Sequence, residues 1–233
     1  MSSIAEQIAQ IREKLPHTVR LIAVTKQVSV AAMREAYTAG IRDFGESRIQ
    51  EAASKQAQLN DLTDVTWHMI GRLQTNKAKK ALEQFQWIHS VDSLKLAQRL
   101  NQLALQMSCQ PKVCLQVKLR SDPHKTGWSV SELLQDLPAL NECDRLNIQG
   151  LMTIPPLGLS DLEILNLFEQ TRELATNIQK QHWSNMPMHH LSMGMSDDYL
   201  LAVQAGATMV RLGRILFGAR PTAHNSTELE SQL

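Results

Sequence analysis

The sequence predicts an α/β fold in which a single (β/α)8 barrel, or TIM barrel, forms the domain. Apolar runs of strand length recur about eight times, and segments with helical apolar spacing lie between them. The 233 residues also come close to the roughly 250 that are typical of such barrels. Because alternating strands and helices build right-handed parallel units, a closed barrel is favoured. A doubly wound open sheet is the alternative.

The amino-terminal half of the chain supplies the first strands. The opening MSSIAEQIAQIREKL has helical periodicity, and LIAVT from residue 21 then indicates a short buried strand. Helical spacing returns in AAMREAYTAG, which ends at Gly40, and in RIQEAASKQAQL. The next predicted strands are IRDFG from residue 41, TWHMIG from residue 66 and WIHSV from residue 87.

The carboxyl-terminal half continues the same alternation. SLKLAQRLNQLALQ predicts a helix, as does the long SDLEILNLFEQTRELATNIQKQ, for which Ser160 is the expected N-cap. The predicted strands are VCLQVKL from residue 113, IQGLMTI from 148, HHLSMG from 189 and MVRLG from 209. We expect the barrel to span residues 1–220 and residues 221–233 to form a disordered polar tail.

Composition narrows the classes of partner. The 24 Lys and Arg against 23 Asp and Glu give a net charge of +1, which argues against nucleic acid or an anionic membrane as partner. We see no signal-peptide h-region and no bilayer-spanning apolar run. An odd cysteine count without zinc-type spacing indicates free thiols in the cytoplasm, and the histidines lack a helical ligand pair, so we predict no metal. Walker and G-x-G-x-x-G loops are also missing from the sequence.

Barrel geometry locates the expected site. Active sites of this fold lie at the carboxyl ends of the strands, with phosphate held by the loops after strands seven and eight. The predicted strand ends carry Lys26, Glu46 and Ser47, Gly71 and Arg72, Asp92, Lys118 and Arg120, Met152 and Thr153, Ser192 and Gly194, and Arg211 and Gly213. Each of these residues, taken alone, is also typical of the start of an ordinary loop, and Lys26 alone is typical of a solvated strand end.

The last two strand ends favour a phosphate site. LSMGMSDD and RLGRILFG both allow close backbone approach, because glycine has no side chain to obstruct it. Ser192 offers a hydroxyl donor, and backbone N–H groups near Gly194 and at a helix start near Ser196 are suited to an anion. Gly213 and Arg214 are expected to contribute in the same way after strand eight.

Seven motifs, taken in order, resemble those of the pyridoxal phosphate homeostasis protein family, from about Val19 to Arg220. They are AVTK, FGES followed by QEA, WHMIGRLQTNK, SVDS, GLMTIPP, LSMGMSDD and VRLGRILFG. The resemblance implies a barrel similar to the N-terminal domain of alanine racemases, which are fold type III PLP proteins. It also implies pyridoxal 5′-phosphate (PLP) as the cofactor, with Lys26 forming the Schiff base. The family usually has asparagine where this chain has Ser47, so a contact with the cofactor there is expected to be weaker or mediated by water.

The resemblance further suggests that Arg211 faces the pyridine nitrogen of PLP. A guanidinium there opposes protonation of that nitrogen and makes the ring a poorer electron sink. His68, Met69 and Met152 are candidates for the floor beneath the ring. A core histidine or methionine of a barrel strand looks the same in sequence, so both interpretations stay open.

The function predicted is PLP binding for intracellular vitamin B6 homeostasis, with an exchangeable Schiff base and no turnover. PLP-dependent apo-enzymes are expected as transient partners, and a monomer is expected. The alternatives are an amino-acid racemase, which would need a second acid or base opposite Lys26, and a Schiff-base aldolase acting on sugar phosphates. The sequence holds two tyrosines, Tyr37 and Tyr199, and lacks the tyrosine-bearing second domain of alanine racemases.

Overall fold

Eight parallel strands close into a barrel in a computed structural model that describes residues 3–120, 122 and 125–218. The strands are β1 (Arg20–Val24), β2 (Asp43–Glu46), β3 (Thr66–Met69), β4 (Trp87–Val91), β5 (Lys112–Gln116), β6 (Asn147–Met152), β7 (His190–Ser192) and β8 (Met209–Leu212). They follow sequence order around the barrel, and β1 pairs with β8 to close it. The predicted barrel is therefore confirmed, and the open sheet is wrong.

Helices cover the outside of the barrel. They are α1 (Ile4–Lys14), α2 (Val30–Thr38), α3 (Ile49–Gln58), α4 (Ala78–Gln84), α5 (Leu94–Gln106), α6 (Val130–Asn141), α7 (Asp161–Gln179), α8 (Tyr199–Gln204) and α9 (Arg214–Phe217), with a 3₁₀ turn at Thr75–Lys77. Ser160 is the N-cap of α7, as predicted, and the Glu163 carboxylate accepts hydrogen bonds from the backbone N–H and the hydroxyl of Ser160. The predicted tail, 221–233, lies outside the described residues.

Strand pleating divides the core into two parts. Successive side chains of a strand point to opposite faces, so one set meets the helices and the other fills the barrel. The larger cluster includes Ala23, Phe44 and Met69 together with apolar residues of the helices. The smaller cluster lies inside the barrel and consists of Ile22, Trp87, Cys114, Met152 and Met209. The alternation also places several polar side chains in the barrel interior, including Ser192 and Arg211, and Arg211 lines the candidate site.

Within the described residues, no helix is long and apolar enough to cross a membrane. The same part of the chain holds no group of three or more His, Cys, Asp or Glu side chains placed to bind a metal ion. Cys109, Cys114 and Cys143 are free thiols.

Candidate functional site

A cavity of about 420 Å³ opens at the carboxyl ends of the strands. Its walls come from β1 and β8 and from the segments that follow β1, β2, β3, β6, β7 and β8. They consist of Val24, Lys26, Ser47, Ile70, Gly71, Ile154, Met195, Ser196, Asp197, Arg211, Gly213 and Arg214. A larger hollow of about 580 Å³ lies at the opposite end of the barrel, beside α1 and the starts of β1 and β2, and no lysine lines it. The carboxyl-end cavity therefore combines the volume of a small-molecule site with a candidate nucleophile.

Lys26 lies two residues beyond the end of β1, and the backbone on both sides of it is fixed by α3. The Lys55 ammonium donates to the carbonyl oxygen of Thr25 at 2.6 Å, and the Glu51 carboxylate accepts from the backbone N–H of Gln27 at 2.5 Å. Gln27 has a φ of 61°, a left-handed conformation that is uncommon outside glycine. These contacts hold a tight turn that presents Lys26 to the cavity.

The same contacts belong to a buried ionic group that we call the Lys55 cluster (Thr25, Glu46, Glu51 and Lys55). Lys55 Nζ lies 2.8 Å from Glu46 Oε1 and 2.6 Å from Glu51 Oε1, and the Thr25 hydroxyl donates to Glu46 Oε1 at 2.7 Å. Burial raises the pKa of Glu46, although hydrogen bonds from Lys55 and Thr25 oppose the change. For Glu51, burial acts in the same direction, but donors on Lys55 and Gln27 prevail and lower its pKa. Glu46 therefore depends on Lys55 for its compensating charge.

Ser196, Gly213 and Arg214 form the side of the cavity expected to hold phosphate. The Ser196 hydroxyl accepts from the backbone N–H of Ile215 at 3.4 Å, which joins the loop after β7 to the start of α9. Arg214 pairs with Asp197 at the rim, where both side chains are exposed. Ser196, Gly213 and Arg214 thus place a hydroxyl, a glycine backbone and a guanidinium on the cavity wall.

Gly194 contributes through its backbone shape and does not line the cavity. Its φ is 96°, and a Cβ on it would lie 2.7 Å from the Cβ of Ala202 in α8. Any side chain would therefore be strained and would collide with the helix. The glycine lets the loop turn tightly so that the next residues, Met195 and Ser196, reach the cavity wall.

Ser192 lies beneath the cavity and is absent from its lining. The side chain is fully buried, and its oxygen lies 2.7 Å from Arg211 Nη1 and 2.8 Å from His89 Nδ1. Its hydroxyl is thus engaged in the barrel interior, and a contact of Ser192 with phosphate stays a prediction. Ser196, four residues later, places a hydroxyl on the wall.

Arg211 forms the buried cationic floor of the cavity. Only 4% of the residue is exposed, and its guanidinium donates to Ser192 Oγ at 2.7 Å and to the carbonyl oxygen of Thr153 at 3.1 Å. Burial lowers the pKa of Arg211 to about 10, which leaves it positively charged at neutral pH. The side chain therefore offers a fixed positive charge to whatever occupies the cavity.

The three floor candidates have different positions. His68 points into the barrel and is fully buried below the cavity, where it lies 2.9 Å from both His89 and Asp43. Met152 belongs to the smaller apolar cluster inside the barrel, and Met69 belongs to the larger cluster that meets the helices. None of the three lines the cavity. Met69 in particular points away from the barrel, because it follows His68 directly in the strand.

His68, His89 and His190 should make the protein sensitive to acid. Burial lowers the pKa of all three, and that of His190 falls to about 4. Below about pH 6.5 the unfolded chain gains protons on these residues that the folded chain does not bind. The free energy of unfolding should therefore fall as pH drops below about 6.5.

Urea unfolding at pH 7.5, 6 and 5 measures this dependence, above the range in which ordinary carboxylates titrate. His190→Asn should flatten the curve, whereas His17→Asn, at an exposed position, should not. Equal stability at pH 7.5 and pH 5 would contradict the expectation.

Comparison with protein families and characterised proteins gives consistent matches over more than nine-tenths of the chain. A family model described as alanine racemase, N-terminal domain, matches residues 1–221. The pyridoxal phosphate homeostasis protein of Synechocystis sp. is 50% identical over 212 residues, which is 91% of this chain and 96% of that protein. The protein of the same name from Escherichia coli K12 is 36% identical over 232 residues, covering 94% and 98% of the two chains.

Solved structures give the same picture. PipY of Synechococcus elongatus PCC7942, determined with PLP bound, has a TM-score of 0.89 and 51% identity, and the match covers 93% of this chain and 100% of PipY. An alanine racemase of Clostridium difficile 630 in complex with cycloserine has a TM-score of 0.74 at 16% identity. That match covers 95% of this chain and 60% of the racemase, and it shows a shared fold.

Proposed function

Because this chain belongs to the pyridoxal phosphate homeostasis protein family, we propose that it binds PLP in the carboxyl-end cavity and serves intracellular PLP homeostasis. The single observation that carries the proposal is that Lys26 lines a cavity whose wall also includes the buried Arg211. PipY, at 51% identity, has PLP bound in its own structure.

The residues of the cavity fit the parts of PLP. Bound PLP supplies an aldehyde that accepts an amine and a ring that withdraws electrons. Lys26 would hold PLP through Nζ, because a lysine amine in its neutral form can condense with an aldehyde with loss of water. Ser196, Gly213 and Arg214 hold the phosphate, and Arg211 faces the ring nitrogen. Ser47 lines the wall and, being shorter than asparagine, leaves room for water there.

We further propose that the protein turns over no amino acid. Racemisation needs a positioned acid or base on each face of the imine, and Lys26 serves one face. Neither tyrosine of the chain lines the cavity: Tyr37 donates to Asp64 on the outside, and Tyr199 is buried at the start of α8. Arg211 also opposes protonation of the ring nitrogen, which weakens the electron sink.

The cellular part of the proposal is reversible delivery. A Schiff base is reversed by water, so a cavity open to solvent suits exchange of PLP with apo-enzymes met transiently. We propose that the protein acts as a monomer in the cytoplasm, where a reducing environment would keep its three free thiols unoxidised.

Proton exchange at the α-carbon of amino acids separates binding from catalysis. The PLP-loaded protein is incubated with L- and D-alanine in heavy water, and NMR follows loss of the α-proton. We expect the absorbance of a lysine-bound imine without saturable exchange. Efficient exchange that disappears in Lys26→Ala would instead establish the racemase alternative.

A further inference from the structure

A chain of hydrogen bonds crosses the barrel interior from the floor of the cavity towards the amino-terminal end. We call it the interior chain (Arg211, Ser192, His89, His68 and Asp43). Its four links measure 2.7, 2.8, 2.9 and 2.9 Å in that order. Arg211, Ser192, His89 and His68 are at most 4% exposed. The Asp43 carboxylate ends the chain near Arg20, whose Nη1 lies 3.5 Å away.

The chemistry of the two ends sets the direction of every bond between them. Arginine can only donate, so Ser192 Oγ accepts from Arg211, and an ionised carboxylate can only accept, so Asp43 accepts from His68 Nε2–H. With neutral imidazoles, His68 Nδ1 is then an acceptor for His89 Nε2–H, and His89 Nδ1 is an acceptor for the Ser192 hydroxyl. The opposite assignment would set a ring lone pair against the Asp43 carboxylate.

Both histidines are neutral for a physical reason. Burial lowers the pKa of His68 against the opposing effect of Asp43, and it lowers that of His89 further, with His68 and Arg211 adding repulsion. Each ring therefore carries one proton, on Nε2, and each Nδ1 accepts. The hydrogen bonds all point from Arg211 towards Asp43.

We propose that the interior chain positions Arg211 against the cofactor, so that Ser192, His89, His68 and Asp43 act as positioning residues for PLP from beneath the cavity. This inference rests on the proposed function in one respect, namely that PLP is the occupant. Without an acceptor at Ser192, Arg211 Nη1 would lose a buried hydrogen bond, and of these two contacts the guanidinium would keep the one with the Thr153 carbonyl. A buried donor left unpaired is costly, so the guanidinium would reorient.

The first test uses the protein without PLP and does not depend on the proposed function. Nitrogen-15 NMR of the histidine rings should show His68 and His89 as neutral Nε2–H tautomers at pH 7. In Ser192→Ala, the Nδ1 resonance of His89 should move towards that of a nitrogen without a hydrogen bond. A Nδ1–H tautomer at either residue would overturn the direction of the chain.

The second test compares PLP with unphosphorylated pyridoxal, using Ser192→Ala and the matched wall variant Ser196→Ala. If Ser192 positions Arg211, its loss should weaken both ligands by a similar factor, about tenfold or more, and should shift the nitrogen-15 resonance of the bound pyridine ring. Ser196→Ala should weaken PLP alone. His68→Gln keeps a donor and an acceptor at this position. The nitrogen-15 resonance of the bound pyridine ring should therefore stay closer to the wild-type value in His68→Gln than in His68→Leu.

Two outcomes would overturn the inference. A Ser192→Ala variant that binds pyridoxal normally but PLP weakly would make Ser192 a phosphate ligand, and unchanged affinity with an unchanged ring-nitrogen resonance would remove any positioning role. Circular dichroism and thermal unfolding confirm that each variant is folded. If the wild-type protein bound neither ligand, the proposed function would fail. The histidine tautomers would then still test the direction of the hydrogen bonds in the interior chain.

Discussion

Replacing Lys55 with methionine is expected to lower the free energy of unfolding by about 3–5 kcal/mol, the cost of removing one partner from a buried ion pair. The Lys55 side chain is 9% exposed and that of Glu46 is fully buried. Without the ammonium, Glu46 Oε1 keeps the hydrogen bond from the Thr25 hydroxyl, whereas Oε2 already has no partner among the described residues. A buried carboxylate in that position would be left without a compensating charge.

Urea unfolding at pH 7.5 measures the effect, with Lys80→Met as the matched control because Lys80 is an exposed lysine of α4. The control should change stability by less than about 0.5 kcal/mol. Adding Glu46→Gln to Lys55→Met should recover part of the loss, since the unpaired charge disappears. A loss below about 1 kcal/mol in Lys55→Met would show that the cluster is solvated in solution.

Replacing Lys26 with alanine is expected to abolish covalent retention of PLP while leaving the protein folded. The absorbance of a lysine-bound imine should disappear, because Lys26 is the one lysine among the described residues that line the cavity. Stability should change by about 1 kcal/mol or less, since the side chain is half-buried. Lys80→Ala is the control and should bind PLP normally.

Methylamine offers a chemical rescue of Lys26→Ala. A small amine can fill the space left by the side chain and form the same C=N bond with PLP. Recovery of the imine absorbance with methylamine would show that the remaining cavity still holds the cofactor. A Lys26→Ala protein that kept its PLP through gel filtration with the imine absorbance intact would place the nucleophile elsewhere.

The sequence was sufficient for the fold because apolar periodicity marks every strand. All eight predicted strands lie within a few residues of the observed ones, as in LIAVT, where β1 covers Arg20–Val24. The cavity position followed from barrel geometry, and Lys26, Ser47, Arg211, Gly213 and Arg214 all line it. Local patterns determine these features, so they could be predicted without coordinates.

The side-chain contacts beneath the cavity could not be predicted in the same way. His89 and Ser192 are 103 residues apart, and no local pattern pairs them. Lys55 was missed, although its i,i+4 spacing from Glu51 was a usable signal. Strand alternation could also have separated His68 from Met69, because adjacent strand residues point to opposite faces.

Borohydride reduction followed by peptide mass mapping tests the central claim most directly. The protein is loaded with PLP, reduced to fix the C=N bond, digested and sequenced by mass spectrometry. The account predicts a single phosphopyridoxyl group on Lys26. An adduct on Lys77 or Lys125 with Lys26 unmodified would contradict it.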